Sequence, residues 1–138
     1  MGDAIKRVVS QLKSKSPASE REIDSVRSRI GFHLPKDFLE LYRHSNGLSG
    51  NLEPSGEHLV VWPIGKLVEN NAAYNVTDYA PGIFIFGSNG GGEAYGFDTR
   101  QPNLPVVMIP FIGMELRYAR PIAPSFTEFL GALEKGIT

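Results

Sequence analysis

The groups in this chain with the most chemical potential are His33, His44 and His58, the carboxylates Glu57, Glu93 and Asp98, and the glycine-rich stretch Ser88-Asn89-Gly90-Gly91-Gly92. Histidines and carboxylates can hold a metal or exchange protons, and a row of backbone N–H groups can bind an anion. The spacing supports none of these uses. There is no His-x-x-x-His pair, no His-Glu-x-x-His helix and no carboxylate-rich calcium loop, which leaves surface or capping duties for the histidines. A phosphate loop needs Gly-Lys-Ser/Thr entering a helix, whereas Glu93 opens what reads as a strand. The glycines read instead as a tight turn that needs positive φ angles. No serine stands in a Gly-x-Ser-x-Gly elbow. Glu93 and Asp98, five positions apart, fall on opposite faces of an unbulged strand and make no shared site. The residues therefore nominate no catalytic group, no cofactor site and no metal site.

Composition narrows the class further. A chain of 138 residues, 41% apolar and 21% charged, has the size and make-up of one globular domain spanning 1–138. The absence of cysteine removes disulfides, thiolate metal sites and thiol nucleophiles, and suits a reducing cytoplasm. No secretory leader or bilayer-length apolar run is visible. Residues 1–50 carry nine Lys/Arg against six Asp/Glu, a balance of +3, and residues 51–138 carry five against nine, a balance of −4. Acidic and basic residues alternate without forming the basic stripe that nucleic acid requires.

The elements that must position these groups change character along the chain. Ile5, Val8, Val9 and Leu12 make a helical stripe that ends before Pro17. Ser19 and Glu22 spell a capping box for a second helix bearing Ile23, Val26 and Ile30, which Gly31 would close. Pro35 suits the first position of a third helix, with Phe38, Leu41 and Tyr42 inward and Asn46-Gly47 as its stop. Residues 48–56 read as a surface loop. Strands are predicted at 59–62, 83–86, 94–97 and 106–109, a weaker one at 116–119, and a helical stretch at 64–75. The segment 83–98 is a hairpin around the glycine-rich turn. Ser125 and Glu128 form a second capping box, before Phe126, Phe129, Leu130 and Leu133 on one helical face. This order predicts an α+β fold: a curved, mostly antiparallel sheet of about five strands, flanked by N-terminal helices and a C-terminal helix.

Three strings in this order carry a family resemblance. The first is Ile23-x-x-Val26 running to Ile30-Gly31-Phe32-His33-Leu34-Pro35-x-Asp37-Phe38-x-x-Leu41-Tyr42 with Asn46-Gly47. The second runs from Ile85-Phe86-Gly87-Ser88 through Glu93-Ala94-Tyr95-Gly96-Phe97-Asp98, and the third is Ser125-Phe126-x-x-Phe129-Leu130. Together they resemble the SUKH superfamily of Smi/Knr-type domains, which is rich in bacterial immunity proteins. The turn Asn89-Gly90-Gly91-Gly92 is longer than the family's pattern. The resemblance implies a domain without catalytic apparatus or cofactor, and it transfers no active site. It implies instead a cytoplasmic immunity protein that binds and neutralises a cognate toxin domain of the nuclease or deaminase type.

An intracellular scaffold or regulatory interaction module is the alternative, and an enzyme using the glycine-rich turn with Glu93 and Asp98 a weaker third. The expected partner is a protein, with no direct contact to nucleic acid or membrane, and self-association stays open. Exposed aromatic and acidic groups suit such a contact, which makes Glu57, Tyr79, Glu93, Tyr95, Asp98, Glu115 and Tyr118 the candidate contact residues. Trp62, following an apolar strand, belongs to the core.

Overall fold

A computed structural model describes residues 2–137. Its centre is one open sheet in which each strand pairs antiparallel with the next: β1 (Lys13–Ser14), β2 (Leu48–Asn51), β3 (His58–Val61), β4 (Ile83–Ser88), β5 (Glu93–Asp98), β6 (Val106–Pro110) and β7 (Arg120–Ala123). The helices are α1 (Asp3–Gln11), α2 (Glu20–Arg27), α3 (Lys36–His44), α4 (Leu67–Ala73), α5 (Val76–Tyr79) and α6 (Phe126–Lys135). No described helix is long and apolar enough to cross a membrane.

The α+β order matches expectation, and four local readings are corrected. Residues 48–56 are not all loop. Leu48 is buried, and β2 pairs along its whole length with β3, so ladder bonds override a composition of Leu, Ser, Gly and Asn. The weak strand at 116–119 lies later: residues 116–118 form a 3-10 turn and β7 begins at Arg120. Helix α2 stops at Arg27, three residues before Ile30, and Gly31 does not close it. Pro35 sits one place before α3 as its N-cap. The Ser19 box is complete, since Glu22 N–H donates to Ser19 Oγ and Ser19 N–H to Glu22 Oε1. In the second box the Glu128 N–H donates to Ser125 Oγ at 3.2 Å.

Both faces of the sheet are covered, so β4 and β6 read as unbroken apolar runs instead of alternating ones. On one face α1, α2, α3 and α6 bury Ile5, Val8, Ile23, Phe38, Leu41, Phe126 and Phe129 against Phe86, Tyr95 and Phe97 of the strands. On the other, Val76 and Ala80 at α5 and Met114 of the loop after β6 cover Ile83, Ile85, Ala94, Val107 and Ile109. Trp62, half-buried, touches both clusters, in keeping with its expected core role. Phe38 is the hub of the first face, with ring centroids 5.0 to 5.1 Å from those of Tyr42, Phe86, Phe97 and Phe126. The residues of the three family strings therefore meet in one aromatic cluster.

Candidate protein-binding surface

Several of the groups that opened the sequence analysis have structural partners. In the glycine-rich turn, Gly90 N–H donates to Ser88 Oγ, and the N–H groups of Gly91 and Glu93 both donate to Asn89 Oδ1. These amides face their own loop, as a tight turn requires and an anion cradle forbids. His58 lies 2.7 Å from Asn51 Oδ1 through Nδ1 and flanks Gly90, while His33 and His44 are exposed on other elements. Among the described residues no three His, Asp or Glu side chains are placed to share a metal ion.

Glu93 and Asp98 separate as expected, because β5 pairs with β6 in continuous register. Asp98 is nearly inaccessible and organises the turn after β5. It accepts bonds from Arg100 N–H at 3.0 Å, from Arg100 Nε and Nη2 at 2.9 Å each, and from Gln101 Nε2 at 3.3 Å. The Arg100 guanidinium holds its carboxyl below the ordinary carboxylate range.

Tyr95 is likewise a core residue, 1% exposed, its ring 4.8 Å from that of Phe129. Burial, then the neighbouring carboxylates of Glu57 and Glu93, push its hydroxyl up to about 12. Glu57 is half-buried and accepts the Ile137 N–H at 2.7 Å, while Arg120 Nη2 donates to the Ile137 carbonyl at 3.2 Å. Of the seven candidate contact residues, Tyr95 and Asp98 are thus too buried to present themselves to a partner, and Glu57 is engaged with the C-terminal segment. Helix α6 covers Tyr95 through Phe129, whereas Asp98 is enclosed by Arg100 and Gln101 of its own turn, a difference that strand periodicity alone does not give.

Tyr79, Glu115 and Tyr118 lie elsewhere, on α5 and the loop between β6 and β7. Strand β3 pairs with β4 only at Gly87 and Ser88, so the first half of β4 has no strand neighbour on that side. Asn71 of α4 fills the gap. Its Nδ2 donates to the carbonyls of Ile85 and Leu67 at 2.8 Å each, and its Oδ1 accepts the Ile85 N–H at 2.9 Å. Pinned in this way, α4 turns through Asn75 (φ 52°) into α5, and the turn carries Tyr74 and Tyr79 outward, 43% and 56% exposed.

After β6 the chain leaves the sheet. Gly113 (φ 70°) lets Met114 tuck into the core while Ile112 stands 93% exposed. Phe111 rests against Tyr74 at 4.7 Å between ring centroids and lies 6.5 Å from Trp62. A groove of about 410 Å³ results, lined by Tyr74, Tyr79, Phe111, Gly113, Met114 and Glu115. At its rim Arg117 Nε contacts Glu115 Oε2 at 2.7 Å, and its guanidinium carbon sits 4.8 Å from the centre of the Tyr118 ring.

Exposed aromatic and aliphatic groups gathered in one place mark an interaction surface more than scattered ones do. Phe111, Ile112 and Met114 were not among the sequence candidates. Their apolar run continues β6 on paper, and only Gly113 hints at the departure from the sheet.

A search of curated proteins finds no match to the chain. The profile of the SMI1 / KNR4 family (SUKH-1) matches residues 17–132, a span that holds all three strings of the aromatic core and the surface above. The chain belongs to the SMI1 / KNR4 family (SUKH-1).

Proposed function

We propose that this domain is an immunity protein: it acts in the cytoplasm by binding a cognate toxin domain, of the nuclease or deaminase type, and covering the toxin's active site. Family membership supports the reading in general. The single observation that carries it for this chain is the exposed surface of Tyr74, Tyr79, Ile112 and Tyr118, with the half-buried Phe111 beside Tyr74. These residues are large, apolar and placed outside both hydrophobic clusters or at their margin. Aromatic groups of this kind supply contact area at low entropic cost. The −4 balance of residues 51–138 would speed encounter with a basic partner such as a nucleic-acid-cleaving domain.

Co-expression with the toxin encoded beside it tests the proposal. The expected result is rescued growth and a stable complex on copurification. Unrescued growth together with no complex defeats the assignment for that toxin.

A further inference from the structure

We propose that the groove between Tyr74, Tyr79 and Phe111 is an aromatic cage for a basic side chain, arginine foremost, presented by the protein partner. This rests on reading the chain as a protein-binding domain and adds what the surface recognises. Three observations carry it.

The first is shape. Tyr74 and Phe111, packed together at 4.7 Å between ring centroids, make one aromatic wall of a groove of about 410 Å³ that Tyr79, Met114 and Glu115 also line. Ring faces are electron-rich and attract a cation held within about 6 Å of the centroid. The second is charge. Helix α4 with its N-cap Lys66, α5 and the loop 111–119 carry Glu69, Asp78 and Glu115 against Lys66 and Arg117, a local balance of −1. A cationic guest is steered in and an acidic one repelled. The third is that the same chemistry already stands at the rim: Arg117 is held between the Glu115 carboxylate and the Tyr118 ring. Arginine fits better than lysine because its planar guanidinium stacks on rings while its forked donors reach a carboxylate.

The test uses the full chain and three synthetic peptides of one length, with glycine alternating with arginine, lysine or glutamate. Nuclear magnetic resonance follows the rings of Tyr74, Tyr79 and Phe111 and the methyl group of Met114. The arginine peptide is expected to shift these signals saturably and more tightly than the lysine peptide, and the glutamate peptide to leave them in place. Tyr79→Ala and Tyr74→Ala should each weaken arginine-peptide binding by about tenfold, and Glu115→Gln by a smaller factor. Equal shifts from the glutamate peptide, or unchanged binding by both tyrosine variants, overturn the cage.

A second arm separates this inference from the toxin assignment. If the toxin complex forms and neither Tyr74→Ala nor Tyr79→Ala weakens it, the cage is wrong and toxin binding stands. If the arginine peptide occupies the cage while no toxin complex forms, the cage stands and the toxin assignment falls.

Discussion

The Asp37 carboxylate and Thr127 are joined across 90 residues of chain: Asp37 Oδ2 accepts both the Thr127 N–H at 2.9 Å and its hydroxyl at 2.8 Å. Asp37 Oδ1 meanwhile accepts the Phe38 N–H at 2.9 Å. One carboxylate thus ties the N-terminal ends of α3 and α6, where amides lack helical partners and the helix dipoles favour negative charge. The Leu-Pro-x-Asp-Phe and Ser-Phe-x-x-Phe-Leu strings are halves of one joint, with Phe38 and Phe126 packed edge to face beneath it.

Replacing Asp37 should therefore loosen both helices at once. Asp37→Ala is expected to cost about 1–3 kcal/mol, the usual range for bonds to a charged acceptor, and Asp37→Asn less, because its side-chain oxygen still accepts one bond. Urea unfolding of the two variants measures this. A loss below about 0.5 kcal/mol for Asp37→Ala would show that water replaces the joint at no cost.

Gly87 has no room for a side chain. A Cβ there would lie 2.0 Å from the Val60 carbonyl oxygen, inside the β3–β4 pair. Because the obstacle is backbone, relief requires the two strands to separate. Gly87→Ala should cost at least about 3 kcal/mol or prevent folding, the upper end for overpacking. Gly92→Ala, with open space around its Cβ, serves as the control with a small effect. Equal thermal midpoints for the two variants would contradict the close approach.

Asn71 is the polar counterpart of that steric fit. Asn71→Leu preserves volume but strands the Ile85 N–H and carbonyl, which no strand reaches on that side. Leaving buried partners unpaired should cost about 2–4 kcal/mol for the two groups together. Hydrogen exchange at the Ile85 amide should accelerate in the variant. Unchanged protection there would mean that the amide is shielded by packing alone.

Tyr95 links stability to alkaline pH. Its hydroxyl is raised from the ordinary 10.0 to about 12, so the folded state favours the neutral phenol more than the unfolded chain does. That contribution is whole below pH 10 and is lost as pH rises from 10 towards 12. The ultraviolet difference spectrum between the wild type and Tyr95→Phe should show ionisation near 12. Glu57→Gln with Glu93→Gln should move it down, since both carboxylates oppose a phenolate. Ionisation at 10 in the wild type would contradict this account.

The helices were legible in advance because their signals are local. The Ser19–Glu22 box, the stripe of Ile5 and Val8, and the faces of Phe38 and Phe126 all lie within a few turns of one another. The hairpin of β4 and β5 was legible for the same reason. Strand β2 was not, since Leu-Ser-Gly-Asn has no strand propensity of its own and exists as a strand only beside β3. Nor was Asn71, an ordinary helix residue until β4 is left half unpaired next to it.

For the candidate surface the division is sharper. Residue types and charge balance nominated aromatic and acidic groups for contact, and of these Tyr79, Glu115 and Tyr118 are exposed. The same reasoning could not see that Tyr95 and Asp98 turn inward or that Phe111 joins Tyr74. The sequence by itself determined the α+β class, the capped starts of α2 and α6, the tight glycine turn and the family, because those depend on neighbours within a few residues. Only the tertiary structure decided which aromatic groups stay exposed, because burial depends on what packs across the sheet from segments tens of residues away.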